Sequence, residues 1–110
     1  MIQAMIQRDH SYVKSFTLKG HAESGPAGQD LVCAAVSGIS FGAVNAVFVL
    51  CEIELEIDQA GDEGGFLKVT IPDGLAKEKL EQASLLLEGM IVSLQTVERD
   101  YGQFISISEK

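Results

Sequence analysis

A stretch of 21 consecutive uncharged residues, from Leu31 to Cys51, is the feature that most constrains the fold of this chain. The run is long enough to cross a bilayer, and Gly38 and Gly42 form a G-x-x-x-G pattern. Its serines, asparagine and alanines keep its hydropathy modest, however, and no basic cluster flanks it to set an orientation. The neighbouring segments read as half-polar strands that need a helix to cover them. We therefore predict a buried helix of a soluble domain, whose small residues allow close packing against a sheet or a second subunit.

Alternating apolar and polar residues predict strands on both sides of this helix. Residues 1–7 and 12–19 alternate around Asp9-His10-Ser11, which indicates a hairpin with His10 as a solvated turn residue. Further segments are predicted as strands at 52–58, 66–71 and 103–108, and as an amphipathic helix from about Asp73 to Tyr101. The order ββαββαβ over residues 1–110 predicts a single α+β domain. We expect a two-layer sandwich, with a five-stranded, mostly antiparallel or mixed sheet and two helices on one face.

The predicted strand at 52–58 has a strongly acidic side. Ile53, Leu55 and Ile57 are expected on one face, and acidic residues occupy every other position. The acidic row is most simply a solvated face of the sheet, although it also has the charge to hold a basic substrate segment.

Composition narrows the classes of partner. The chain of 110 residues has 8 basic and 16 acidic residues, for a net charge of −8, which argues against direct nucleic-acid binding. The charge serves solubility, and it is also compatible with steering a basic protein partner. Cys33 and Cys51 are too far apart on a helix to form a disulfide, at roughly 27 Å with a rise of ~1.5 Å per residue. Two unbridged thiols and no signal peptide favour the cytoplasm, with no membrane anchor.

A histidine and a cysteine stand at the two ends of a glycine-rich loop over residues 22–29. His21 ends the second predicted strand, and Asp30 is placed to cap the long helix, which puts Cys33 at its third position. The free N–H groups and the positive end of the helix dipole favour the thiolate there, and a nearby imidazolium adds a direct charge partner. The same helix end offers backbone N–H groups as an oxyanion hole.

Spacing alone leaves the role of each of these residues open. A free cysteine is commonly just a buried residue, and we expect this of Cys51. Asp30 has two possible roles, as the helix cap or as the group that orients His21. Ser37 lies one turn after Cys33 on the same helix face, where it has either a site role or a packing role. A metal site is disfavoured because the dispersed ligands fall short of a closed set, and no cofactor is expected.

The residues around this pair also carry a family resemblance. Gly20-His21-Ala22, a loop, and then Gly28-x-Asp30-x-Val32-Cys33-Ala34-Ala35-Val36-Ser37 resembles the ribosomal-processing cysteine protease Prp family. The order of strands and helices matches that family along essentially the whole chain. The motif is long, and its histidine-to-cysteine spacing is typical of the family.

The resemblance implies a cysteine endopeptidase that removes an N-terminal extension from a large-subunit ribosomal protein and acts as a homodimer. His21 and Cys33 match the catalytic dyad of the family, and the loop at 22–29 matches the mobile segment that admits the substrate. The expected substrate-loop residues are Ala22, Gly25 and Gly28. The expected supporting residues are Asp30, Ser37 and Ala34. The loop interior varies in the family, so individual substrate contacts are not carried over.

Three rival functions share parts of this pattern. The first is a noncatalytic ribosome-associated assembly or binding factor with the same fold. The second is another thiol hydrolase or acyl-transfer enzyme, with the same dyad and a different substrate. The third is a G-x-x-x-G dimerisation module in which Cys33 is incidental. Full function in Cys33→Ala would favour the assembly factor over an enzyme. A depressed alkylation pKa of Cys33 that disappears in His21→Ala would argue against the dimerisation module.

Overall fold

The order of elements agrees with the prediction from sequence. The computed structural model describes residues 1–21, 30–59 and 65–110. The elements are β1 (Ile2–Asp9), β2 (Tyr12–Lys19), α1 (Leu31–Cys51), β3 (Glu56–Gln59), β4 (Phe66–Thr70), α2 (Lys77–Tyr101) and β5 (Ile105–Glu109). The predicted α+β class with its ββαββαβ order is therefore confirmed.

The five strands form one mixed sheet in the order β3-β4-β2-β1-β5. The β1–β2, β2–β4 and β3–β4 pairs are antiparallel, whereas β1 and β5 run parallel, with Ile2 opposite Ile105. Alternation buries Ile2, Ala4 and Ile6 of β1 on one face. These side chains share a single core with buried residues of both helices, as a two-layer sandwich with the helices on one face requires.

Helix α1 buries one stripe of side chains, and its other residues are partly or fully exposed. Its buried residues recur every three or four positions and are Val32, Val36, Ser40, Val44, Val47 and Cys51. By length and composition, α1 also meets the requirements for crossing a membrane. The buried stripe nevertheless belongs to the core that α1 shares with the sheet. The predicted packing of α1 in the core is therefore observed for this stripe, and Cys51 is a core residue as predicted.

The segment after α1 departs from the prediction. A strand was expected over 52–58, but β3 begins only at Glu56. Glu52 ends α1 in the left-handed region, at φ 57°, and its N–H donates to the carbonyl oxygen of Phe48. The chain needs the next residues to turn from the helix towards the sheet edge, so pairing starts later. Ile53 and Leu55 are buried as expected, whereas Ile57 on the edge strand is 49% exposed.

Helix α2 begins later than predicted, at Lys77 rather than near Asp73. Asp73 and Gly74 instead form a turn after Pro72, with Gly74 at φ +82°. A residue with a left-handed backbone cannot be part of a right-handed helical turn, so α2 starts only after Gly74. The last strand is also displaced, because β5 covers Ile105–Glu109 instead of 103–108.

Two ion-pair groups lie away from the end of β2 that carries His21. Arg8 of β1 donates to Glu88 of α2 and to Glu109 of β5, and these hydrogen bonds raise the pKa of Arg8 above its usual range. At the start of β2, the ammonium of Lys14 lies 2.6 Å from Oδ1 of Asp73 and lowers the pKa of that carboxyl group. These contacts connect β1 to α2 and β5, and they connect β2 to the turn at Asp73. His21 lies at the opposite end of β2.

Candidate active site

A cleft with a volume of about 310 Å³ opens between the end of β2 and the first turns of α1. His21, Cys33 and Ser37 line this cleft together. His21 is there because it lies two residues after the end of β2, and Cys33 is there because the first turn of α1 lies beside that strand end. The fold therefore brings together the two residues that the sequence separates by the loop at 22–29.

Cys33 lies at the third position of α1, as the predicted cap requires. The backbone N–H of Cys33 donates to Oδ1 of Asp30 at 3.0 Å, so Asp30 is the N-cap of the helix. The cysteine is partly exposed, and part of its surface packs against the core. A partly exposed thiol in the first turn of a helix is in the environment that favours a reactive thiolate.

The same cap already engages two backbone donors at the site. The N–H of Cys33 binds the Asp30 carboxylate, and the N–H of Ala34 donates to the Asp30 carbonyl oxygen at 3.0 Å. An oxyanion hole built from these two N–H groups would therefore require Asp30 to release them. Ala34 contributes a helical hydrogen bond here, and its side chain is exposed.

The position of His21 depends on the backbone contacts of Gly20, the residue before it, and not on burial of its own side chain. His21 is exposed and follows Gly20, which has φ +88°. A Cβ on Gly20 would collide with the carbonyl oxygen of Met1, so a side chain does not fit at that position. The N–H of Gly20 also donates to the carbonyl oxygen of Gly65 at 2.8 Å, which joins the end of β2 to the start of β4. These backbone constraints direct His21 into the cleft.

The predicted site is only partly covered by the described residues. Ala22, Gly25 and Gly28 of the expected substrate loop lie outside them. Ser37 lines the cleft one turn after Cys33, on the helix face that its spacing predicted, and a role for it in the site stays a prediction.

The cleft also contains residues that the sequence did not single out. The walls include Phe41 of α1 and Phe66 and Leu67 of β4, with Gly65 immediately before that strand. Strand β4 reaches the site only because it pairs with β2, where Lys19 lies opposite Phe66. No local pattern in the sequence signals that pairing, because it is a contact between segments distant in the chain.

Within residues 1–21, 30–59 and 65–110, no group of three or more His, Cys, Asp and Glu side chains is placed to hold a metal ion. The arrangement that the cleft does contain is a thiol on a helix amino end with a histidine in the same concavity. Together with the two-layer fold, these features define a small α+β domain equipped for thiol chemistry.

Comparison with known proteins identifies the family. The model of the family described as cysteine protease Prp matches residues 1–106. The chain is 51% identical over 102 residues to the ribosomal processing cysteine protease Prp of Bacillus subtilis (strain 168), covering 92% of this chain and 90% of that relative. The chain belongs to the cysteine protease Prp family and is a cysteine-type endopeptidase.

Solved structures agree with this assignment. The crystal structure of an essential ribosomal processing protease Prp from S. aureus, in complex with a covalently linked product peptide, is similar with a TM-score of 0.88 and 36% identity over 100% of both chains. A structure of Prp from S. aureus with a substrate peptide has a TM-score of 0.83 and 34% identity, also over 100% of both chains. These similarities cover the cleft as well as the sheet.

Proposed function

We propose that Cys33 and His21 form the catalytic dyad of this endopeptidase. The observation that carries the proposal is that both residues line one cleft, with the thiol in the first turn of α1. Cysteine proteases need a thiolate nucleophile and a base that exchanges its proton, and these two side chains supply both groups.

The reaction follows from these roles. Sγ of Cys33 attacks the scissile carbonyl carbon, and His21 carries the thiol proton to the departing amine as the C–N bond breaks. A water molecule then attacks the thioester while His21 accepts one of its protons. The C–S bond breaks, the peptide acid leaves, and the thiol recovers its proton from His21. Backbone N–H groups near the amino end of α1 are the proposed oxyanion donors, with Asp30 releasing those it engages.

The proposed substrate is a large-subunit ribosomal protein from which the enzyme removes an N-terminal extension. Support comes from relatives named as ribosomal processing proteases, one of which is known with substrate and product peptides. The cleft walls of this chain add a further constraint. Leu18, Phe41 and Phe66 are apolar, so the segment held next to Cys33 is expected to carry apolar side chains.

Cleavage of the organism's own ribosomal protein tests this function. The precursor is incubated with the wild-type protein, with protein alkylated at Cys33, and with Cys33→Ala, and the product masses are measured. A single cut near the precursor's amino terminus, made only by the untreated wild type, is the expected result. A precursor that the wild-type protein binds but does not cut would favour the noncatalytic assembly factor. Cleavage of other acyl substrates alone would favour a different thiol hydrolase.

We infer a homodimer that uses the carboxyl-terminal half of α1. Phe48, Val49 and Leu50 are consecutive, apolar and exposed by 60, 68 and 69%. Successive helix residues project about 100° apart, so these three side chains spread apolar surface around the solvent side of the last turn of α1, which favours coverage by another protein surface. The family resemblance makes a second copy of this chain the proposed occupant.

Leu50→Asp is expected to shift the dimer towards monomer, because dimerisation would bury the new carboxylate in an apolar contact. Light scattering after size-exclusion chromatography measures the mass at several protein concentrations. Leu31→Asp is the matched control, since Leu31 is similarly exposed at the other end of α1. If Leu50→Asp and Leu31→Asp both remain dimeric at the same protein concentrations, the proposed interface is contradicted.

Salt is expected to lower kcat/KM for the basic ribosomal precursor. The enzyme has a net charge of −8, and opposite charges accelerate encounter through a field that salt screens. Measuring cleavage from about 0.05 to about 0.5 M NaCl tests this, because the Debye length falls severalfold over that range. A short uncharged peptide with the same cleavage site is the control. Equal salt responses for both substrates would contradict the steering.

We propose a cytoplasmic location, since Cys33 and Cys51 are not joined in a disulfide. No cofactor, direct nucleic-acid contact or membrane contact enters the proposed reaction.

A further inference from the structure

A glycine with an unusual backbone lies against the tip of the His21 ring, immediately before β4. Gly65 has φ +77°, and a Cβ built on it would lie 2.9 Å from Nε2 of His21 and 3.4 Å from its Cε1. We propose that Gly65 is a positioning residue, whose missing side chain lets the His21 imidazole sit against the β4 backbone in its working orientation. This inference rests on the proposed role of His21 as the base.

Two contacts connect Gly65 to the segment that carries His21. The first is the hydrogen bond from the N–H of Gly20 to the carbonyl oxygen of Gly65, at 2.8 Å. The second is the approach of the His21 ring to the Gly65 Cα side. The first contact holds the two backbones together, so the backbone of Gly65 has little freedom to retreat from the ring.

A methyl group at position 65 would therefore move the ring rather than the strand. Atoms in ordinary contact lie about 3.5 Å apart or more, and the 2.9 Å separation falls well short of that. The imidazole is the free end of an exposed side chain and yields more easily than paired backbone. A displaced base costs rate because proton transfer requires hydrogen-bond geometry in the transition state.

The test is Gly65→Ala, with steady-state kinetics on the precursor peptide. We expect kcat to fall by about tenfold or more while KM changes little, because the change affects the base and leaves the apolar walls in place. Gly74→Ala is the matched control. Gly74 also has a positive φ, +82°, but a Cβ there has no heavy atom within 4 Å, so it tests backbone strain alone. Equal losses in the two variants would overturn the proposal.

A double-mutant cycle with His21→Ala identifies the route of the effect. If Gly65 acts through the imidazole, Gly65→Ala reduces activity strongly with His21 present and adds almost nothing once His21 is replaced by alanine. Independent, multiplying losses would show that Gly65 does not act through His21. Full activity in His21→Ala alone would instead refute the proposed dyad, so the two failures are distinguishable.

Thermal unfolding keeps the proposal testable if Gly65→Ala folds poorly. Removing the ring removes the steric conflict, so the drop in melting temperature caused by Gly65→Ala is expected to be smaller in the His21→Ala background. An equal drop in both backgrounds would mean that the loss of stability comes from backbone strain at the positive φ of Gly65, or from another contact, and would contradict the proposed contact with the imidazole.

Discussion

The Cys33→Ala variant is expected to lose cleavage activity by at least about 10⁴-fold in kcat, because it removes the atom that forms the acyl-enzyme bond. The fold is expected to persist. Cys33 is partly exposed, and the helix start depends on its backbone N–H and on Asp30, which the substitution leaves unchanged. The variant should therefore still bind the precursor in the apolar cleft without releasing product.

Single-turnover assays and a binding measurement on the same preparation check both parts of this prediction. Cys51→Ala is the matched control, since Cys51 is the other cysteine of the chain and is buried at the far end of α1. It is expected to cleave normally, apart from any loss of stability. Processing by Cys33→Ala at the wild-type rate would exclude a nucleophilic role for this thiol.

The His21→Ala variant is expected to lower kcat/KM by about 10²–10⁴-fold, the usual contribution of a positioned acid–base group. It is also expected to move the midpoint of the pH dependence of Cys33 alkylation upwards. The midpoint is expected to rise because a positively charged imidazolium stabilises the thiolate. Without the imidazolium, a higher pH is needed to form the thiolate.

Alkylation with iodoacetamide, followed by intact mass across a pH series, measures this midpoint in the Cys51→Ala background. His10→Ala is the control, since His10 lies in the exposed β1–β2 turn beside Asp9 and away from the cleft. It is expected to leave both kcat/KM and the alkylation profile unchanged. If His21→Ala and His10→Ala have the same profile, His21 does not interact with the thiol.

Local patterns predicted most of the secondary structure. The uncharged run matched α1 from Leu31 to Cys51, and the alternation at 12–19 matched β2. Predictions were wrong where the chain changes direction. Glu52 turns out of α1 before β3 starts, and the turn at Asp73 and Gly74 delays α2. Boundaries of this kind depend on how the connected elements must meet in space, which hydrophobic periodicity does not encode.

Sequence was equally informative about part of the site. The Asp30 cap and the position of Cys33 in the first turn depend on a hydrogen bond between residues three apart in the chain, so the local sequence is enough to predict them. Motif resemblance added the pairing with His21. The contributions of Phe66 and Gly65 were missed because they arise from the pairing of β2 with β4, two strands that are far apart in the chain.

By itself, the sequence determined the helix that presents Cys33, the cap that begins it, and the strand β2, which ends two residues before His21. All three depend on interactions within a few residues. Only the tertiary structure decided that His21 and Cys33 share a cleft, that β4 supplies its apolar wall, and that Gly65 lies against the imidazole. These features require closing the sheet against α1, and the free energy for that comes from the common core rather than from any one segment.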